Sequence, residues 1–151
     1  MNQDILAKAT LLRRELHAHP DLSYQEAWTK QHLMDFLKEN TKVKLVDKGK
    51  WFYACYLGAD GKDPYPIGFR ADFDALPMED EIDAPWKSQI PGCGHKCGHD
   101  GHAAALCAFA MELEVATAAR ASAGAYLPSP PEPVPRPPGR CTECVASITT
   151  G

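Results

Sequence analysis

Ten consecutive residues, Cys93-Gly94-His95-Lys96-Cys97-Gly98-His99-Asp100-Gly101-His102, hold most of the chemistry this chain can offer. Imidazole and thiolate are the preferred protein ligands of zinc and related divalent metals. Interleaved glycines let the backbone turn sharply, so closely spaced side chains can converge on one point. Cys97 and His99 are separated by a single Gly, a spacing that lets both reach one metal or two adjacent ones. A second segment, Arg70-Ala71-Asp72-Phe73-Asp74-Ala75-Leu76-Pro77, places two carboxylates at the end of an apolar run. Acidic groups at a strand end beside Cys and His at a helix start would form a compact metal cleft. A metal there could polarise an amide carbonyl and lower the pKa of its bound water, and a carboxylate could orient a ligating His or act as base.

Each of these residues also has an ordinary structural role. A His in a loop is usually a solvated side chain, and an Asp at a strand end is usually a turn former. His17 and His19 flank the end of an N-terminal helix, where capping its carbonyls is the local expectation. Cys93 and Cys97 together with Cys141 and Cys144 could build a structural zinc site, although the two pairs are separated by more chain than zinc ribbons use. Cys55, in an aromatic run, and Cys107, in an apolar helix, read as small buried hydrophobes.

The elements that must position this chemistry follow from periodicity. Ile5, Ala9, Leu12 and Leu16 predict a helix over 4–19, ended by Pro20. Ser23-Tyr24-Gln25-Glu26 fits a capping box for a second helix with Ala27, Leu33, Phe36 and Leu37 on its apolar face. Val43 and Leu45 alternate with Lys and predict a half-buried strand. Trp51 to Leu57 reads as a more buried strand, and Pro66 to Phe73 as a third, with a turn at Asp60-Gly61 between them. The aromatic strand is built to pair on both sides. An unpaired edge there would invite aggregation or a homo-oligomer. A loop with Pro77, Pro85 and Pro91 leads to the Cys/His run, and a helix begins near Asp100 and continues through Ala103, Leu106, Cys107, Ala110 and Leu113.

Composition bounds the rest. At 151 residues the chain suits one domain with a real core. A net charge of −4 argues against nucleic acid or an anionic membrane as partner. The start of the chain lacks a basic-then-apolar leader pattern and no run is apolar enough to span a bilayer, so the expectation is a cytoplasmic protein with reduced thiols. The character changes after Glu114. Every Lys precedes that point, and more than half of the 13 Pro fall between Pro128 and Pro138. Residues 116–125 could extend the last helix, but a Pro-rich run cannot form a core element, so a disordered or loosely attached tail is expected from about residue 126.

Taken in order, three stretches resemble the metal-dependent amidohydrolases of the aminoacylase, hippurate hydrolase and auxin-conjugate hydrolase group, within the zinc exopeptidase superfamily. They are Arg13 to Glu26, Arg70 to Pro77, and Pro91 to His102, and the likeness covers about residues 4–114. The resemblance implies an α/β fold: the N-terminal part of a mixed-sheet catalytic domain over 1–114, with residues 115–151 forming an atypical tail. It implies hydrolysis of the amide bond of N-acyl amino acids or related small conjugates, using one or two divalent metals. Zinc or manganese is expected, and cobalt and nickel are compatible. Cys97 and His99 match the first two metal ligands, and Asp74 matches an acidic residue placed behind the metal. His95, Asp72 and His102 are candidates for supporting groups around the ligands. The family completes its site with a downstream Glu-Glu pair and later His residues. Here that region reads Pro131-Glu132-Pro133, and no His follows His102. Two ligands are fewer than a catalytic metal uses, so these 151 residues are expected to be inactive alone, the product of a frameshifted, mis-spliced or truncated gene. A non-catalytic metal-binding or interaction module, or a small structural-zinc protein, are the alternatives.

Overall fold

The computed structural model describes residues 2–56, 68–122 and 144–149, and the turn expected at Asp60-Gly61 lies outside them. The elements in chain order are α1 (Gln3–Ala18), α2 (Ala27–Asn40), β1 (Lys44–Asp47), β2 (Phe52–Tyr56), β3 (Phe69–Asp72), α3 (His99–Ser122) and β4 (Cys144–Thr149). The fold is a mixed α/β one. Its sheet has the order β1-β2-β4-β3, with β1/β2 and β2/β4 antiparallel and β3/β4 parallel.

One expectation about the sheet is corrected here, and it involves residues 144–149, which form β4. That strand fills the far side of β2, pairing Phe52 with Ile148 and Tyr56 with Cys144. The aromatic strand therefore has neighbours on both sides, and the edge expected to drive association does not exist there. The last helix runs unbroken through residue 114 to Ser122.

α1 buries Ile5, Ala9, Leu12 and Leu16 as its spacing predicts. Asn2 caps it, its side chain accepting from the Asp4 N–H. α2 departs from the expected capping box. It starts at Ala27, later than Ser23, and Glu26 makes no side-chain cap to it. Asp21 takes that role instead: its Oδ2 accepts from both the Thr29 N–H and the Thr29 hydroxyl at 2.9 Å. The Ser23 hydroxyl is thereby left for another partner, described below. α1, α2 and α3 meet the sheet in one core of Leu12, Leu16, Leu33, Leu37, Phe52, Phe73, Ala103 and Cys107. Cys55 and Cys107 are buried in the apolar interior as expected.

Backbone hydrogen bonds tie the connecting loops together in front of this core. The Ala75 N–H donates to the Asp21 carbonyl at 2.8 Å, and Leu76 and Gly94 exchange N–H···O bonds at 3.1 Å in both directions. The Gln89 N–H reaches the Ala18 carbonyl at 2.8 Å. All three sequence motifs are thus bonded through main chain.

Candidate metal centre

The Cys/His loop sits where this frame meets the start of α3. Gly98 adopts a left-handed backbone (φ +78°), which a residue with a Cβ takes only at a cost. Its carbonyl accepts from the N–H groups of Gly101 (3.0 Å) and His102 (3.1 Å), so the turn at Gly98 launches the helix. The helix then presents His99 in its first turn.

His99 faces the end of the β3 segment. Its Nδ1 lies 2.8 Å from Asp74 Oδ1 and 3.1 Å from the Asp74 carbonyl. A carboxylate only accepts, so Nδ1 carries the proton and donates. That fixes the tautomer and leaves the Nε2 lone pair as the free donor for a metal. Asp74 is itself held by the Ser23 hydroxyl, which donates to Oδ2. Burial pushes the Asp74 carboxyl up, but the hydrogen bonds from Ser23 and His99 outweigh it and hold the group below its ordinary range. Asp74 is therefore an anion at neutral pH, buried behind an oriented imidazole. Cys97, one Gly away, is an exposed free thiol.

The other sequence candidates are placed differently. Asp72 closes β3 and accepts from Arg70 at 2.8 and 3.0 Å. His102 is exposed on the next turn of α3, its ring 6.0 Å from that of His99. His95 is buried with neither ring nitrogen hydrogen-bonded, and burial above all lowers its basicity. Cys93 is buried as well, its thiol directed at the Pro20 carbonyl 3.5 Å away. Burial first, and then the Asp21 charge, raise its pKa. Among the described residues no cluster of three or more His, Cys, Asp or Glu could close around a metal. The Cys141 part of the structural-zinc alternative lies outside the described residues.

One cluster goes beyond what the sequence suggested. His17 is not a helix cap facing solvent. It is 5% exposed, and its ring reaches Asp100 and Asp80 across the fold. Arg13 joins it, with Nε 2.9 Å from Asp100 Oδ2. The available signal was the Arg13/His17 pair, four apart on α1 and beside its apolar stripe, which puts both on one buried flank. His19 is the C-cap of α1, its backbone N–H donating to the Glu15 and Leu16 carbonyls at 3.1 and 3.2 Å, and its ring packs on Trp28.

The donor set fits two positions of a metal site. A thiolate and an imidazole braced by a buried carboxylate are the ligands that zinc-type metals take. A cleft of about 420 Å³ lies nearby, lined by His19, Asp21, Trp28 and Cys93 among others, but not by Cys97, His99 or Asp74.

Residues 68–124 match the profile of peptidase family M20/M25/M40. The chain is 40% identical over 104 residues to YhaA of Bacillus subtilis, provisionally named an amidohydrolase, over 68% of this chain and 26% of that protein. It is 36% identical over 103 residues to the N-acetylcysteine deacetylase of the same organism, over 68% of this chain and 27% of that one. A solved structure of B. subtilis YXEP, described as a dinuclear metal-binding peptidase of the M20 family, superposes with a TM-score of 0.71 at 32% identity, covering 78% of this chain and 33% of that one. The matched profile, the relatives and the superposed fold place the chain among the M20-type metallopeptidases and amidohydrolases. This chain belongs to that family and spans about a quarter to a third of the length of the relatives it matches.

Proposed function

We propose that these residues are part of a metal-dependent amidohydrolase that cleaves the amide bond of N-acyl amino acids or related small conjugates. The observation that carries the reading is the His99–Asp74 pair, 2.8 Å apart, one residue from an exposed Cys97 thiol. In this reading Cys97 and His99 ligate the metal through Sγ and Nε2, Asp74 holds the imidazole in its ligating tautomer, and Ser23 holds Asp74. The thiolate favours zinc; manganese, cobalt and nickel also accept this mixed set. When bound, the metal supplies Lewis-acid polarisation of the amide carbonyl and an activated water. The N-acetylcysteine deacetylase relative supports a small N-acyl amino acid as substrate. Four free cysteines among the described residues (Cys55, Cys93, Cys97 and Cys107) suit a reducing, cytoplasmic setting. No helix among the described residues is long and apolar enough to cross a membrane.

Two donors do not complete a catalytic site, so this chain by itself does not turn over substrate. The absence of a third ligand among the described residues favours a second reading, a metal-binding module without catalysis. A chimera separates them. Residues 4–114 are placed in the B. subtilis N-acetylcysteine deacetylase in exchange for its matching segment. Metal-dependent hydrolysis of N-acetylcysteine is expected, and it should vanish on Cys97→Ser. A folded chimera that binds metal through Cys97 yet leaves the amide intact would refute the hydrolase reading in favour of the module.

A further inference from the structure

The N-terminal motif has no part in the ligand set described above, yet it enters the site from behind. Cys97-Gly98-His99 is flanked by Lys96 on one side and Asp100 on the other, and both flanks lead to the same imidazole. Asp100 is 1% exposed, and its Oδ2 accepts from His17 Nδ1 at 2.7 Å and from Arg13 Nε at 2.9 Å. Asp80 is 2% exposed, and its Oδ2 lies 3.2 Å from His17 Nε2, a close polar contact that is not aligned as a hydrogen bond. Asp80 Oδ1 accepts from Lys96 Nζ at 2.7 Å. A run of close polar contacts therefore links Lys96, Asp80, His17 and Asp100, hydrogen-bonded at both ends and in close approach at Asp80–His17, from the residue before Cys97 to the residue after His99.

The loop itself offers little restraint. Nothing lies within 4 Å of where a Gly98 Cβ would stand, and Cys97 is exposed. Beyond the Gly98 turn and the Asp74 bond to His99, the restraint on the two donor atoms comes from the buried flanks. Ligands are precise only when their supports are locked by packing and hydrogen bonds. We propose that His17 is a positioning residue for the metal loop, its imidazole bridging Asp80 and Asp100 so that Cys97 and His99 are held at ligating separation. This rests on the reading that those two residues bind metal. Arg13 and Lys96 balance the two buried carboxylates, which lets the cluster exist away from water.

The competing view is that the cluster only stabilises the fold. Cobalt(II) titration of the full 151-residue chain separates the two, read by the cobalt–thiolate charge-transfer band, with thermal unfolding of the metal-free proteins alongside. Wild type, Cys97→Ser, His17→Ala, His17→Gln and Leu12→Ala are compared. Leu12 is buried on the same helix but outside the polar cluster, so its truncation reports destabilisation alone. The expected result is a roughly 10–100-fold loss of cobalt affinity in His17→Ala, the range seen when the support of a ligand is removed. Leu12→Ala should keep its affinity despite an equal or larger drop in melting temperature, and free imidazole should restore part of the His17→Ala loss. Should His17→Ala not fold, His17→Gln, which cannot span both carboxylates, carries the same comparison. A folded His17 variant that binds cobalt like wild type overturns the proposal alone, as does a Leu12→Ala loss equal to that of His17→Ala. Wild type with no band, or a band that survives Cys97→Ser, overturns the ligand assignment and this proposal with it.

Discussion

Asp74→Asn isolates what a buried charge contributes behind a ligating imidazole. Asp74 is 7% exposed and uses both oxygens, Oδ1 toward His99 at 2.8 Å and Oδ2 toward the Ser23 hydroxyl. Asparagine has the same shape. Its carbonyl oxygen can accept from His99 Nδ1, and its amide can donate to Ser23 Oγ, whose hydroxyl rotates to accept. No buried polar group is stranded, so the metal-free protein should lose no more than about 1 kcal/mol. What disappears is the charge, which makes a hydrogen bond roughly twice as strong as its neutral counterpart. The loss should appear as weaker metal binding of about 10–100-fold, or about 1.4–2.8 kcal/mol. Zinc affinity measured by competition with a chromophoric chelator, with Cys97→Ser as the zero-binding reference, gives the number. If Asp74→Asn binds zinc within twofold of wild type while Cys97→Ser abolishes binding, the Asp74–His99 pair does not tune the site and the argument for it fails.

Three further outcomes follow from the same structure. Brief alkylation with iodoacetamide, mapped by mass spectrometry, should label Cys97 first and spare Cys93 and Cys107, because burial pushes the Cys107 thiol up to about 12 and only Cys97 of the three is exposed; bound zinc should then protect Cys97. Leu16→Ala, at a side chain with no exposure, should cost about 2–5 kcal/mol in urea unfolding, and a smaller loss would mean that the helix–sheet core is looser than described. Burial raises the Asp80 carboxyl, but Lys96 and the N–H groups of Ser88 and Ile82 pull it well below its ordinary value of 3.8. A depressed carboxyl stabilises the fold above its unfolded pKa and loses that contribution as pH falls through its folded one. Asp80→Asn should therefore destabilise by about 1–3 kcal/mol at pH 7, and the gap to wild type should narrow as the pH drops below about 4; a gap independent of pH would refute the ion pair.

The local elements were legible wherever a period or a breaker marked them. The apolar stripe of α1, its end before Pro20, the aromatic strand and the helix after Gly98 all follow from residue spacing, whereas a place for Asp74 beside the Cys/His loop comes from the family resemblance alone. The misses have a common cause. Ser23 was free to be a cap or a partner of Asp74, and the contact with Asp74, 51 residues beyond it, decides; the cap of α2 then falls to Asp21. His17 looked like a helix end because its carboxylate partners lie far along the chain, Asp100 being 83 residues away. The Cys144–Thr149 strand has little alternation and follows a Pro-rich run, and the gap between β2 and β3 gives it a place.

The backbone bridges in front of the core have a consequence for how this site tolerates change. Ala75–Asp21, Leu76–Gly94 and Gln89–Ala18 are main-chain bonds, and no side-chain substitution removes a main-chain donor except proline. The relative placement of the three motifs is thus largely insulated from mutation, while the ligands they carry stay free to vary. The insulation has one thin spot. A Cβ at Gly94 would stand 3.2 Å from the Met78 carbonyl oxygen and 3.3 Å from Asp80 Cβ. Any other residue there requires Met78 and Asp80 to give by a few tenths of an ångström, so a frame that is indifferent to most of its sequence is tight at this one position.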